Sequence, residues 1–413
     1  MKKITYNTKT YTKFITSLLL IIMLLICVDI ADAKIYIDIA SPGIRQLPIK
    51  IITTGDVKGF DLEKIIKSDL KFTGLIQFVD PDISGAEIVV TADVAIGSEL
   101  TVVLSIQDLV AGKEVLKTRY VTKKGNIRVM GHRAADAIYQ IATGQKGVFR
   151  TKLTYLAAAM SGKKALRIMD WDGFKSQKLV SRGLISSHSW SMDAKHLFYS
   201  AERRRQWKIY SLDLQKSKEA VLFSSKGLNI VGGTSPGGLI AFSSSKDGSS
   251  EIYTTDIKSS RTRKLTKAFG IDVSPVFSPD GTNIAFVSDR GGTPQLYIMR
   301  ADGSNLRRLT YEGNYNTSPA WAPNGKWLSY SSRTNGKNQV FMVKSDGKDL
   351  RQLTFDGNNE SPSFSPDGMF LAFDSDRDGE KGIYIMRANG EEQKRITPSY
   401  MKAWSPKWSP YLY

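Results

Sequence analysis

The pattern of hydrophobic and polar residues changes character near residue 147. Before this point, "DLEKIIKSDLKF" and "NIRVMGHRAADAIYQIATG" place apolar residues at helical spacing, and Gly144 stops the second segment. The segments "EIVVTADVAIG" and "ELTVVLSIQDL" alternate apolar and polar residues, as half-buried strands do. The pattern therefore predicts a small α/β domain over residues 34–147, with three to five strands and two helices.

Beyond residue 147, short alternating segments recur in a regular unit. An aromatic slot followed by a turn resembling Ser-Pro-Asp-Gly occurs six times, at spacings of 44, 43, 44, 43 and 44 residues. The six slots are Trp190, Thr234, Phe277, Trp321, Phe364 and Trp408. A period in the low forties with several short strands per unit is typical of a β-propeller built from four-stranded blades. We expect the slot residues to pack between blades rather than to bind ligands.

The last copy of the unit contains only its first strand. Three segments within residues 151–180, "TKLTYLAAA", "KALRIMDWDG" and "SQKLV", match the three missing strands in order. We therefore expect residues 404–413 to pair with the sheet of residues 151–180, because closing the ring removes two unpaired strand edges. The predicted fold is mainly β: a C-terminal six-bladed β-propeller over residues 148–413, preceded by the small α/β domain.

Residues 1–33 have the pattern of a secretory signal peptide. Lysines precede an apolar run from Phe14 to Val28, and the small residues Ala31 and Ala33 suit cleavage after Ala33. The run of about 15 apolar residues is shorter than the ~20 needed to span a bilayer. No cysteine follows residue 33, so stability is expected to come from burial rather than from disulfides.

The net charge of +18 favours acidic partners or an anionic membrane face. The basic residues are scattered along hairpin ends, as in "RRR" at residues 203–205, which is also the pattern of solvated strand edges. Because an exported protein rarely meets nucleic acid, we expect no nucleic-acid partner. Any association with a membrane is expected to be peripheral.

Candidate catalytic residues are sparse along the chain. The G-x-S-x-G pattern occurs once, at residues 233–237, where it coincides with the slot and turn of a repeat unit rather than with a strand-to-helix elbow. The three histidines, His132, His188 and His196, lie in different predicted elements. We therefore predict that the protein is not an enzyme and uses no cofactor.

One acidic segment resembles the start of a calcium loop. It is "DSDRDGE", with Asp374, Asp376 and Asp378, but Ile385 stands where a bidentate glutamate is required. No metal site is expected, and weak calcium binding by these three aspartates stays open as an alternative.

The junction "GHRAADAIYQIATGQKGVFRTKLTYL" at residues 131–156 and the terminal "WSPYL" resemble the TolB family, the periplasmic components of the Tol-Pal system. The resemblance implies a periplasmic scaffold without chemistry, which supports outer-membrane integrity and constriction during cell division. We expect the protein to be a monomer and to use no cofactor. In that family the propeller mouth binds the lipoprotein Pal, and the mature N-terminus binds the C-terminal domain of TolA. Other outer-membrane or peptidoglycan-associated proteins are further candidate partners.

Mapping the resemblance onto this chain gives two sets of candidate binding residues. The Pal-binding rim, read from the loops between blades, contains His188, Asn229, Asp272, Asn316, Glu360 and Trp404. The TolA-binding tail contains Lys34, Ile35, Tyr36, Ile37, Asp38 and Ile39. The alternative function is that of a periplasmic propeller lyase or glycan-binding protein, because a propeller channel is concave and polar.

Overall fold

The computed structural model describes residues 45–56, 61–80, 82–158 and 164–412. The predicted signal peptide and the predicted TolA-binding tail, Lys34 to Ile39, lie outside the described residues.

A five-stranded sheet and two helices form the N-terminal α/β domain. Its elements are β1 (Leu47–Gly55), α1 (Leu62–Thr73), β2 (Ile76–Phe78), β3 (Ile88–Ile96), β4 (Glu99–Asp108), β5 (Lys113–Lys123) and α2 (Ile127–Thr143). The sheet order is β2-β1-β3-β4-β5; β1 runs parallel to β2 and β3, and the remaining pairs are antiparallel. Alternate residues of β3 and β4 are buried together with one face of each helix, so one side of the sheet forms the core.

Six four-stranded sheets follow, numbered here as blades I to VI. Within each blade the strands are named A to D from the channel outward, since the A strands contact one another around the ring. Blade I takes β6 (Lys152–Ala158), β7 (Lys164–Asp170) and β8 (Gln177–Val180) as its strands B to D. Blade II contains β9 (Leu184–Trp190), β10 (His196–Arg203), β11 (Gln206–Asp213) and β12 (Lys218–Ser224). Blade III contains β13 (Asn229–Thr234), β14 (Leu239–Ser244), β15 (Glu251–Asp256) and β16 (Thr262–Lys264).

The remaining blades repeat the same order. Blade IV contains β17 (Asp272–Phe277), β18 (Asn283–Ser288), β19 (Gln295–Arg300) and β20 (Arg307–Arg308). Blade V contains β21 (Asn316–Trp321), β22 (Trp327–Thr334), β23 (Lys337–Lys344) and β24 (Arg351–Gln352). Blade VI contains β25 (Asn359–Phe364), β26 (Phe370–Ser375), β27 (Gly382–Arg387) and β28 (Lys394–Arg395), and β29 (Ala403–Trp408) is strand A of blade I.

Blade I therefore joins the end of the chain to the beginning of the propeller. β29 pairs antiparallel with β6, with Trp408 opposite Leu153. The indole N–H of Trp408 donates a hydrogen bond to Thr151 Oγ1 at 2.8 Å. The predicted fold class, a six-bladed β-propeller preceded by an α/β domain, is confirmed. The boundary at residue 147 stays a prediction.

The slot residues pack between blades. Trp190, Phe277, Phe364 and Trp408 are all less than one tenth exposed. The middle residues of each B strand are buried on both faces, as in "IAFVS" of β18, because each blade is covered by a neighbour on either side. The hydrophobic effect thus holds the ring together at every junction between blades.

The α/β domain sits on the face of the propeller that carries the A–B and C–D turns of blades VI and I. The ring of Phe72, at the end of α1, contacts Trp171 at 5.7 Å and Phe370 at 5.2 Å between centroids. The hydroxyl of Tyr139 in α2 donates to Asp367 at 3.1 Å. The loops that join strand D of one blade to strand A of the next lie at the opposite face, away from these contacts.

Candidate partner-binding site

Three of the predicted rim residues lie inside the protein. Asn229, Asp272 and Asn316 each begin the A strand of a blade, and their exposed fraction is 0%. The side-chain amide of Asn316 donates to Gln295 Oε1 and to the carbonyl of Glu312, both at 2.8 Å. The prediction that these side chains are presented to a partner is therefore wrong. Asn229 and Asn316 donate to carbonyls of the preceding loop, which would be costly to leave unpaired, and Asp272 pairs with a cation of its own blade.

Asp272 is held by a charged partner from its own blade. Its two carboxylate oxygens accept hydrogen bonds from Arg290 at 2.9 and 2.7 Å. The guanidinium lies over the ring of Tyr297, 5.2 Å from its centroid. Blade VI repeats this arrangement, since Arg377 donates to the amide oxygen of Asn359 at 2.7 Å. The Asp272 site is therefore a structural clamp of the blade.

His188 is also buried, at 1% exposure, and the prediction that it lies exposed at the mouth is wrong. It occupies the position at which other repeats have proline, for example Pro275, on the wall between blades I and II. Burial lowers the pKa of His188 to about 3, and the nearby Lys407 ammonium acts in the same direction. The imidazole is neutral at physiological pH and serves as a packing group.

Glu360 and Trp404 are the two predicted rim residues that keep partial exposure. The Glu360 carboxylate accepts hydrogen bonds from Lys381 and from the amide of Asn338. Trp404 lies beneath the ammonium of Lys164, 5.0 Å from the ring centroid. Both residues remain candidates for contact with a partner.

The D-to-A loops present a set of exposed apolar side chains that the sequence did not lead us to expect. Each of the six D-to-A connections contributes at least one large apolar residue with an exposed fraction of 44% or more, counting Leu184 at the first position of β9; the connection before β17 also contributes Ile271. We call the most exposed such residue of each connection the apolar crown, and it consists of Leu184, Leu228, Phe269, Tyr311, Phe355 and Tyr400. Exposed apolar groups gathered on one face of a protein are typical of an interaction surface. The sequence could have indicated these residues, because a large apolar residue occurs in or at the end of every D-to-A loop. It lies close to the polar turn residues from which the rim was predicted.

Basic side chains from a B–C turn and from a D strand lie beside the apolar crown. The B–C turns share a face with the D-to-A loops, as the hydrogen bond from Arg203 Nε to the carbonyl of Arg182 shows. The guanidinium of Arg308 lies over Tyr311 of the crown at 4.9 Å. A crown with cationic groups beside its rings suits a partner that is apolar at the centre of its contact surface and acidic around it.

The three aspartates of the calcium alternative do not converge. Asp374 is buried, forms an ion pair with Lys381 and accepts the backbone N–H of Ser405 at 2.8 Å. Asp376 accepts from the backbone and side chain of Asn358, and Asp378 accepts from the hydroxyl of Tyr384. Each carboxylate has its own protein partner, so they do not form a shared ligand set.

In the described ranges, the one cluster with metal-ligand geometry lies between the domains. Ligand atoms of Asp69, His132 and Asp172 approach within 4.8 Å of one another. His132 Nδ1 is 2.6 Å from Asp69 Oδ2, and Arg128 bonds to Asp172. Burial raises the pKa of Asp69 to about 6, against the opposing effect of His132. The Arg128 guanidinium supplies positive charge to this cluster, which links α1 and α2 of the α/β domain to blade I.

The arrangement of an α/β domain on a six-bladed propeller was compared with known proteins. The family model described as the TolB beta propeller domain matches residues 139–412. The chain belongs to the TolB family.

Among curated TolB relatives, the "Tol-Pal system protein TolB" of Polaromonas sp. (strain JS666 / ATCC BAA-500) is 31% identical over 220 residues, 48% of this chain and 51% of the relative. The protein of the same name from Gluconobacter oxydans (strain 621H) is 30% identical over 261 residues, 58% of this chain and 56% of the relative. The matched part of the chain thus spans about half the length of these TolB relatives.

A solved TolB structure extends the similarity to both domains. The crystal structure of TolB from Acinetobacter baumannii superposes with a TM-score of 0.80 and 26% identity, covering 90% of this chain and 98% of that chain. The curated TolB relatives are named as proteins of the Tol-Pal system. Within the described part of the chain, neither helix is both long and apolar enough to cross a membrane.

Proposed function

We propose that this protein is a periplasmic scaffold of the Tol-Pal system that binds its partners and catalyses no reaction. Membership of the TolB family, the leader-like residues 1–33 and the apolar crown support this function. The three histidines lie in separate places: His132 is at the domain junction, His188 is inside the propeller wall, and His196 begins β10. This dispersion favours a binding role over acid-base catalysis.

The observation that carries the proposal is the apolar crown. We propose that Pal docks on it, with the rings of Phe269, Tyr311, Phe355 and Tyr400 as anchors. Aromatic side chains on loops of a rigid scaffold supply a large contact area at low cost in conformational entropy. A specific complex of this kind buries about 1,600 Å² in total. The crown has a member at each of the six connections between blades, so it is distributed around the whole ring.

The tail of residues 34–39 is proposed to bind the C-terminal domain of TolA. In this proposal the tail is available to TolA or packs against the rest of the protein, and occupancy of the crown changes that balance. Such a coupling acts equally in both directions, so a tail held by TolA changes the affinity for Pal by the same factor as Pal changes the affinity for TolA. Through these contacts the protein would support outer-membrane integrity and constriction during cell division.

Calorimetry with the mature chain, residues 34–413, and purified Pal tests the crown. We expect Phe269→Ser and Phe355→Ser each to weaken binding by about 1 to 3 kcal/mol, because hot-spot aromatics carry most of an interface's energy. Val110→Ser, at an exposed valine of the α/β domain, is the matched control and should bind as the unaltered protein does. Equal affinity of all four proteins would exclude the crown as the Pal site.

A second experiment separates the two partners. Deletion of residues 34–43 should abolish capture by the TolA C-terminal domain and leave direct capture of Pal intact. Loss of both captures in a folded deletion variant would contradict the proposal that the tail binds TolA and the crown binds Pal. Circular dichroism of the variant supplies the folding control.

A further inference from the structure

A recess between blades IV and V lies on the same propeller face as the α/β domain. It has a volume of about 710 Å³, within the range of natural ligand sites. Its walls come from the A–B and C–D turns of both blades and include Asp280, Arg300, Trp321 and Ser345. It is therefore on the opposite face from the apolar crown, and no part of the proposed function uses it.

By its position in the repeat, each of these residues is equivalent to a residue at the junction of blades VI and I. The counterparts are Asp367, Arg387, Trp408 and Trp171, in the same order. At that junction the α/β domain occupies the corresponding space. The chain itself therefore shows what a recess of this type accepts.

At the VI–I junction, the end of helix α1 is the group that docks. Arg387 Nε donates to the carbonyl of Phe72 at 2.9 Å, in the last turn of the helix, and Gly74 caps it in the left-handed conformation. The free carbonyls and the negative end of the helix dipole make such a turn a good partner for a guanidinium. Asp367 accepts a hydrogen bond from Tyr139 of the second helix.

At the IV–V recess, the equivalent donors have no protein acceptor among the described residues. The guanidinium of Arg300 makes no hydrogen bond or ion pair there, and Arg300 is exposed. The indole N–H of Trp321 is buried without a partner in the same part of the chain. The other slot tryptophans differ, since Trp190 donates to the carbonyl of Lys407 at 3.2 Å and Trp408 to Thr151. Because the Trp321 indole N–H is shielded, the accessible donor of the recess is the guanidinium of Arg300, and a ligand that supplies a carbonyl to it is favoured.

The walls of the two sites differ in polarity. Where the VI–I junction has the large apolar groups Phe370 and Trp171, the IV–V recess has Asn283 and Ser345. Permanent interfaces are more apolar than transient ones. The polar residues in place of large apolar ones therefore indicate a contact that forms and dissociates rather than one that holds a domain permanently.

We propose that the recess between blades IV and V is a docking site for the C-terminal turn of a helix from a partner protein. Arg300 donates to a free carbonyl of that turn, as Arg387 does to Phe72 within this chain, and the indole of Trp321 forms part of the wall. Pro279 and Pro323 in the A–B turns keep the walls rigid, which limits the entropy lost on docking.

A helical peptide tests this assignment on the mature chain. The probe is residues 61–76 of this protein, locked as a helix by a lactam and carrying Phe72→Gln, so that it matches the polar walls. In protein labelled with ¹⁵N-tryptophan, the indole N–H signal of Trp321, assigned by its loss in Trp321→Phe, should move as peptide is added. Arg300→Gln should weaken binding about tenfold, the effect of one lost charged hydrogen bond.

Matched variants distinguish docking in this recess from docking elsewhere on the protein. Trp190→Phe, whose indole already has an acceptor, and Phe269→Ser, on the opposite face, should leave peptide binding unchanged. The proposal is overturned if the Trp321 signal stays in place at millimolar peptide, or if Arg300→Gln binds equally tightly. A concentration-dependent dimer that Arg300→Gln dissociates in sedimentation would assign the recess to a second copy, and would also overturn the partner assignment. Neither result bears on binding of Pal, so the two proposals fail independently.

Discussion

Replacing tryptophan by phenylalanine at two equivalent slots is expected to lower the stability at one slot and not at the other. Trp408 and Trp321 occupy the same position of the repeat, but only Trp408 has an acceptor for its indole N–H, Thr151 Oγ1 at 2.8 Å. Phenylalanine already fills this slot in blades IV and VI, so both variants should fold. The comparison isolates the hydrogen bond from the packing of the ring.

The magnitudes follow from burial and partners. Trp408→Phe loses a hydrogen bond of about 1 kcal/mol, and the smaller ring leaves a cavity that costs roughly another 1 kcal/mol, because Trp408 is 5% exposed and packs against Phe370. Trp321→Phe removes a buried N–H without a partner, a group whose burial costs about 1 to 3 kcal/mol. Its ring borders the 710 Å³ recess, so the smaller side chain encloses no new cavity. We expect a loss of about 2 kcal/mol in the first variant and no loss, or a gain of up to about 1 kcal/mol, in the second.

Thermal unfolding of the mature chain, followed by far-ultraviolet circular dichroism, measures the difference. A change of 1 kcal/mol moves the melting temperature of a domain of this size by about 2 to 4 °C, so the two variants should differ by at least ~4 °C. Equal melting temperatures would refute the reasoning, since they would mean that the hydrogen bond to Thr151 contributes nothing to closure of the ring. Reversible scans at two heating rates check that the values are equilibrium ones.

Two further predictions concern buried charges. Arg290→Ala should lower the free energy of unfolding by about 3 to 5 kcal/mol in urea titration, because it leaves the Asp272 carboxylate buried without its cation. Asp272→Asn should cost less than about 1.5 kcal/mol, since Asn359 makes the same contact with Arg377 in blade VI; equal losses would contradict this interpretation. The pKa of Asp69 is about 6 in the folded state against a usual 3.8. Between these two pH values the native state binds more protons than the unfolded state. The contribution of Asp69 to the free energy of unfolding therefore falls as the pH rises from about 4 to 6. Asp69→Asn should flatten that part of the pH profile, measured by urea unfolding at pH 4, 5, 6 and 7, and an unchanged slope would contradict the assignment.

The sequence predicted the fold class from features that are local to each unit. The 43- or 44-residue period, the alternation within "NIAFVS" and the Asp-Gly turns are each written within a few consecutive residues. Strand geometry sends successive side chains to opposite faces, so such alternation is readable without knowing the neighbours. Repetition of one local pattern was enough to indicate six similar blades.

The candidate site could not be predicted in the same way. Asn229 and Asn316 look like polar loop residues in the sequence, but the structure uses them to satisfy buried carbonyls and glutamine side chains of neighbouring strands. Phe269 and Phe355 look like core residues, but they are exposed in loops that have no neighbour to cover them. Burial depends on which segments come together, and that information is not contained in the loop itself.

The amino-acid sequence by itself determined the number of blades, the order of strands within each blade and the family to which the chain belongs. The tertiary structure alone decided which polar groups are buried, which aromatic rings are exposed, and that the α/β domain covers the turns of blades VI and I. The reason is the range of the interactions involved. A strand or a turn follows from adjacent residues, whereas the hydrogen bond between Arg387 and Phe72 joins residues 315 positions apart and exists only once the whole ring is assembled.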